Sequence, residues 1–461
     1  MKGAFLRGCT PEEALKYCGG EITNKGEKHT KPGILRFHGG YPVDMSWGDK
    51  QRLIDVIHSQ QNRQVMEDGN SSANVQISLY KTTFKFGISS NETLDKQEWE
   101  RIKVIWEQAL EKGLGSRVSA GYGRFQEIAA NDKVILSVNL QGQGLTSKLL
   151  NDTPEFRPNM FKAVLRGHTL RLLAGITDKN TAQKITKELW GGIKDKGEKE
   201  GAVVGKLGIS FTVDNNNIQH GEHRCKSYSM PTYNLKSGKL DILCIAEVSP
   251  EEKKKLKKFL TRLIMFSLLL GGFGKSWRRV DHRKFYPDYF QRHDKPMIGC
   301  HWEFTPESEK YYLTAATQDL NNLKQFLQNL SKEICDFFHI QSGNYVQEWR
   351  EVWHPNKVQV WGKITKESEA VHWFHRENFI KRTELTGWIG GKNNPSKTGR
   401  IWHRMYPRYV NKNGIIKPTG EYIELLTIFP DKSESISAES KKTQQTFLEF
   451  LDKQTEFQQL Y

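Results

Sequence analysis

The sequence has no apolar run long enough to cross a membrane. Its longest, Leu263 to Gly274, falls short of the roughly 20 residues a spanning helix needs. That run also follows the basic stretch Lys253–Lys258, as the buried face of a soluble helix does. No charged start, apolar core and cleavage site open the chain, so secretion is not expected. Cysteine is sparse: the six residues Cys9, Cys18, Cys225, Cys244, Cys300 and Cys335 show neither a C-x-x-C nor a paired His spacing. Structural zinc and a disulfide framework are therefore poorly supported. Acidic residues are also in deficit, 53 Asp and Glu against 69 Lys and Arg, which leaves a formal net charge of +16. A length of 461 residues suggests two to four domains at about 150 each. The balance describes a cytoplasmic, multi-domain protein that meets a polyanion and no membrane.

What is present is a repeat. Lys2-Gly-Ala-Phe-Leu-Arg7 is echoed by Lys162-Ala-Val-Leu-Arg166, and Tyr17-Cys-Gly-Gly20 by Leu189-Trp-Gly-Gly192. Gly33–Phe37 and Gly208–Phe211 read as strands, as do the alternations Val75–Ile88 and Lys239–Val248. Each copy then has a helix, over Asp95–Lys112 and Pro250–Leu270, running into a glycine-rich basic loop. From opening Lys to loop Gly the separations are 111 residues (Lys2 to Gly113) and 109 (Lys162 to Gly271). This is a duplicated domain. The order of elements fits an α+β fold of tandem ferredoxin-like β-α-β-β-α-β modules carrying insertions. In the second copy Val134–Val138 supplies the opening strand and Phe161–Leu173 the first helix. The first copy begins at its helix, so an upstream segment, or another element, is expected to supply its strand. The expected divisions are 1–130, 131–290, a further C-terminal α+β region over 291–430, and a polar linker with a terminal helix over 431–461. That third region carries a helix over Asp319–Phe338, an aromatic and basic stretch from Trp349 to Arg376, a third glycine-basic phrase over Gly387–Arg400 and a strand over Tyr422–Phe429.

The loops carry the candidate chemistry. Gly113, Gly115, Gly121 and Gly123 in one, and Gly271, Gly272 and Gly274 in the other, let backbone N–H groups approach a phosphate. Arg117 and Arg124, or Lys275, Arg278 and Arg279, then neutralise charge, while Tyr122 or Trp277 stacks on a base. Each loop leaves a helix C-terminus, so the dipole opposes an anion and the basic side chains must supply the attraction. The alternative is a glycine C-cap whose cations complement that dipole. Two loops at one place in a repeat, with a related third phrase, favour the anion. Lys2, Arg7, Lys162 and Arg166 on the opening helices are either RNA contacts or a solvated basic face. Gly274-Lys275-Ser276 is no P-loop, because Leu269 stands where a Gly is needed and the loop follows a helix. Asp152, near Glu155 between the second copy's first strand and helix, is either a turn former or a group that orients a 2′-OH or holds a divalent ion. His372 with His375, and His220 with His223, have no obvious third ligand, so no metal site is assigned.

Together these residues resemble the RAMP superfamily of CRISPR-associated proteins. The marks are Phe156-Arg157-Pro-Asn-Met-Phe-Lys162-Ala-Val-Leu-Arg166, similar to that family's proline-led first-helix motif, and the loops Gly113–Phe125 and Gly271–Val280. The likeness spans roughly residues 1–290. It implies RRM-like folds that assemble along a guide RNA in type III effector complexes, with target RNA and other effector subunits as partners. Lys2, Arg7, Arg117, Tyr122, Arg124, Arg157, Lys162, Arg166, Lys275, Trp277, Arg278 and Arg279 would then face RNA. Phosphate contacts of this kind bind with little sequence preference. No cofactor is needed for binding. Some members cut the paired target with an Asp after the first strand, a role that carries over here only to Asp152, with Mg or another divalent ion as cofactor. A guide-processing ribonuclease using a His such as His168 is a further alternative. A non-catalytic scaffold is the preferred expectation.

Overall fold

The computed structural model of the chain describes residues 1–24, 27–47, 54–58, 73–77, 79, 82–125, 133–148, 152, 154–193, 202–225, 228–274, 278–285, 299–341, 343, 347–349, 351–375, 400–430 and 438–461. Its contacts divide the chain into two compact units. The first comprises Met1–Ile57, Asn74–Val134 and Lys148–Thr153; the second comprises His58–Ala73, Ile135–Ser147 and Pro154–Tyr461. Among the described residues no helix is long and apolar enough to cross a membrane.

In the first unit, helix α1 (Lys2–Leu6) buries Ala4 and Phe5 between basic residues. Strand β1 (Leu35–Pro42) pairs antiparallel with β2 (Phe84–Ser90), with a bulge between Phe37 and Gly39. Helix α2 (Lys96–Glu111) starts at Asp95, whose carboxylate accepts the Glu98 N–H at 2.8 Å, a cap the first turn requires. Its apolar residues recur at helical spacing and bury Ile102 and Ile105 against Phe5, Tyr17, Cys18, Ile34 and Leu35. The alternation read over Val75–Ile88 is two strands, Ala73–Ile77 and β2, because each pairs with a different partner; Ile54–His58 joins the former.

The main sheet of the second unit contains β3 (Val134–Leu145), whose Leu136, Val138 and Leu140 are buried at every second position. Helix α3 (Asn159–Ala174) and an added helix α4 (Lys179–Trp190) follow. Next come β4 (Leu207–Thr212), β5 (Ile218–Cys225) and β6 (Tyr228–Cys244). Helix α5 (Pro250–Leu269) is capped by Ser249, whose hydroxyl accepts the Glu252 N–H at 3.2 Å. Strand β7 (Arg278–Arg279) and β8 (Cys300–Phe304) complete this stretch. The first sheet runs β4-β6-β3-β8, with β5 paired to β6. The two strands flanking α3 are thus separated by β6, and the two flanking α5 by β3. Two interleaved split β-α-β units of this kind make the ferredoxin-like fold. Its fourth strand lies beyond residue 290, at Cys300–Phe304, antiparallel to β3.

The remaining elements build onto the same core. Helix α6 (Leu320–Phe338) is capped by Asp319 and packs Phe337 and Phe338 on Phe259 of α5. Strands β9 (Gln359–Thr365), β10 (Arg400–Lys412), β11 (Ile415–Phe429) and β12 (Gln458–Gln459) join β7 in a second sheet, ordered β7-β10-β11-β9-β12. Lys412 pairs with Ile415 across Asn413 and Gly414, both at positive φ (56° and 82°), the two-residue turn that Asn-Gly favours. The short helix α7 (Ala370–His375) and α8 (Ala438–Gln454) cover this sheet through Trp373, Phe374, Phe447 and Leu451. One continuous apolar cluster includes residues of α3, α5, β8, α6, β9, β10 and β11.

Buried ionic groups hold these layers together. Arg171 of α3 donates to the Glu351 carboxylate at 3.1 Å through Nε, with both residues buried. Beneath the second sheet, Glu424 accepts the Glu369 N–H at 2.9 Å and the Ala370 N–H at 3.0 Å, so a carboxylate sits at the N-terminus of α7. Ser368 and His403 both reach the same Glu424 oxygen, His403 Nε2 at 2.9 Å. A nucleophilic triad would place Ser and carboxylate on opposite ring nitrogens. Here one nitrogen serves both, so the cluster is a structural anchor.

Candidate nucleic-acid interface

In the second unit the opening helix and the glycine loop meet. Phe273, inside the loop, packs edge-on against Phe161 in the first turn of α3 with ring centroids 4.8 Å apart. Both rings rest on Trp302 of β8, at 5.7 Å from Phe273 and 5.3 Å from Phe161. Gly272 has φ +75°, and a Cβ there would lie 2.4 Å from the Trp302 side chain, so only glycine lets the loop settle on that indole. Next to Phe161 in sequence comes Lys162, and one turn on, Arg166. Burial, and then the neighbouring guanidinium, push the Lys162 ammonium down to about 8. Burial alone pushes Arg166 down to about 10. Like charges at i, i+4 repel, and a phosphate placed beside both would favour the charged form of each.

The first unit repeats the arrangement on a smaller scale. Lys2 and Arg7 are exposed at the two ends of α1. The carbonyl of Arg7 accepts from Lys112 Nζ at 3.5 Å, and Lys112 directly precedes Gly113. All seven loop glycines carry positive φ, and so does Arg117 at 56°. The loop closes on itself where the Leu114 N–H donates to the Gly123 carbonyl at 3.0 Å. A Cβ on Gly123 would stand 1.9 Å from the Leu114 carbonyl oxygen. Gly123→Ala is therefore expected to cost about 1–3 kcal/mol in a urea unfolding transition, with the helical signal of α2 otherwise retained. Arg117 and Tyr122 are half-buried. Arg124 turns inward: its Nη1 donates to the Glu111 carbonyl at 2.8 Å, and burial lowers its pKa. That guanidinium caps the C-terminus of α2, the role a cation at a glycine C-cap plays.

The chain is similar to Cmr1 from Pyrococcus furiosus. The likeness is to the crystal structure of that protein's apo form, at 12% identity and a TM-score of 0.35, covering 70% of this chain and 98% of that one. No family model matches the sequence, and no curated protein matches it.

Arg157 is paired with Glu155 at 3.0 Å, so its charge is largely met within the chain. Arg278 and Arg279 form β7, parallel to His403 and Arg404 of β10. Lys275 and Trp277, and nearly all of the third phrase over Gly387–Arg400, lie outside the described residues. Asp152 has φ +63°, belongs with the first unit, and exposes most of its carboxylate, 3.5 Å from Lys148 Nζ. His168 is buried with edge-on contacts to the rings of Phe266 and Trp402, at 5.1 and 5.9 Å. Of the aromatic stretch, Trp349, Trp353, Trp361 and Trp373 are all buried. They are core, not a stacking platform. Sequence reading missed Arg404, which lies fully buried and donates to the Trp302 carbonyl at 2.7 Å, the Leu268 carbonyl at 3.3 Å and His301 Nδ1 at 2.9 Å. Only its place two residues after the buried Trp402 pointed inward.

Proposed function

We propose that this protein is an RNA-binding structural subunit of a type III CRISPR ribonucleoprotein, contacting guide RNA and neighbouring subunits. The supporting observation is the meeting of Phe273 and Phe161, which sets the glycine loop against a helix carrying the half-buried Lys162 and the buried Arg166. The first unit brings its own basic helix and glycine loop together through Arg7 and Lys112. Phosphate backbone, rather than base edges, is what backbone N–H groups and Lys or Arg at such a place recognise, and a holder of arbitrary guides needs that indifference to sequence. The assignment to a type III complex follows the motif at Phe156–Arg166 and the loop at Gly113–Phe125.

Purification from the native host at gentle salt, with sequencing of the bound RNA, tests the reading. Short RNAs with a constant end and a variable portion, accompanied by several proteins, are expected; a lone protein without RNA overturns it. Target cleavage is a separate outcome, tested in the same particle by Asp152→Ala. Because Asp152 is exposed but holds φ +63°, which Ala tolerates less well than Asp, the variant is expected to lose about 1 kcal/mol in thermal unfolding. Cleavage lost at one position in the presence of a divalent ion would make Asp152 catalytic, and unchanged cleavage would remove it.

A further inference from the structure

The basic run Lys253–Lys258 has no part in the glycine-loop site. It occupies the other end of α5, with Lys258 thirteen residues before Gly271, about 20 Å at 1.5 Å per residue. Lys254, Lys257 and Lys258 are exposed, stand at i, i+3 and i+4, and so share one face. Acidic neighbours in the first turn are engaged elsewhere: Glu251 with Lys255 at 3.2 Å and Glu252 with Lys206 at 2.7 Å. Among the described residues, Lys254, Lys257 and Lys258 make no ion pair.

Helix formation does not call for this cluster. Like charges at i, i+3 and i+4 repel by a few tenths of a kcal/mol, and past the first turn the helix dipole gives these lysines no compensating stabilisation. The duplicated helix provides an internal comparison. With Gly113 matched to Gly271, α2 carries Lys96, Trp99 and Glu100 where α5 carries Lys254, Lys257 and Lys258. The same architecture thus stands without the triple charge.

We propose that this face of α5 is a second polyanion surface, docking the phosphate backbone of an RNA duplex. Three features select that occupant. Lysine is depleted at protein–protein interfaces, whose cores favour aromatic, Met and Arg side chains. Single strands are held on aromatic platforms, and the aromatic residue of this stretch, Phe259, is buried. A row of lysines without an apolar centre suits regularly spaced phosphates read by charge alone. The surface is a feature of the second unit by itself. It rests on the RNA reading above only for the choice of RNA over DNA.

Fluorescence anisotropy on the full chain tests it, with a blunt RNA duplex, a single-stranded RNA and poly-glutamate as separate probes over a salt series. For the triple variant Lys254→Gln, Lys257→Gln, Lys258→Gln, the slope of log K against log salt for duplex is expected to flatten by about 2–3, near 0.9 per lost phosphate contact. Its single-strand binding should be unchanged, and the triple Lys→Arg variant should keep the wild-type slope. An unchanged duplex slope in the Gln variant overturns the proposal. So does binding of poly-glutamate, but not duplex, through the same lysines. Wild-type protein that binds single strand but not duplex overturns this surface alone. Duplex binding through the lysines without single-strand binding overturns the loop reading alone.

Discussion

Arg404→Met is expected to destabilise the protein by about 3–5 kcal/mol, the range for removing one member of a buried charged network. The guanidinium is fully buried, and its loss leaves the carbonyls of Trp302 and Leu268 and the Nδ1 of His301 short of a donor in the interior. Those acceptors lie on β8 and at the end of α5, so one side chain from β10 ties the second sheet to the edge of the first. The effect carries a pH signature. Burial by itself pushes the Glu303 carboxyl up, but His301, then Arg404 and Lys284, override that and hold it at about 2. A carboxylate held below its ordinary 4.5 contributes stability above that pH, and the contribution is lost as pH falls toward 2. Urea unfolding should therefore show the Arg404→Met defect at full size near neutral pH and narrower near pH 3. A defect of constant size would mean that Arg404 acts through packing and its carbonyl contacts without supporting Glu303.

Loss of both Lys162 and Arg166, as Lys162→Gln with Arg166→Gln, is expected to weaken RNA binding roughly 30- to 1,000-fold, about 2–4 kcal/mol for charged contacts removed from a desolvated site. Lys162 adds a pH dependence of its own. Its ammonium is held at about 8 against an ordinary 10.5, so the unfolded chain binds the proton more tightly and stability rises with pH between those values. On the proposed function, an RNA phosphate beside Lys162 would reverse the preference by favouring the charged form. Binding then takes up a proton, and affinity should fall as pH rises above 8, by at most tenfold per unit. Lys162→Arg should flatten that fall, which filter binding at several pH values would show. If wild type and Lys162→Arg fall in parallel, the titrating group lies elsewhere.

Much of the fold was legible because its cues are local. The repeated helix-then-glycine phrase placed α2 and α5 to within a residue or two, and the leucine spacing from Leu320 to Ile334 marked α6. The fourth strand of the second module was not visible, since the segment between the glycine loop and β8 separates the strand from the motif that should announce it. Pairings such as Arg171 with Glu351 are beyond any periodicity, because each partner is an ordinary charged residue until the fold brings them together. The candidate site was legible in outline and mixed in detail. Lys162 and Arg166 stand one turn apart on α3, half-buried and buried, whereas Arg124 serves its own helix end, and composition alone does not tell a cation that caps a helix from one left for another role.

The shared floor of Trp302 has a consequence for timing. Gly142, Gly272, Phe161 and Phe273 all meet that one indole, and it arrives on β8, the last strand of its sheet to leave the ribosome. Until it docks, Phe273 of the loop and Phe161 of α3 lack the ring on which both rest. A chain that stops short of Trp302 therefore lacks the surface on which the glycine loop and the first turn of α3 come together.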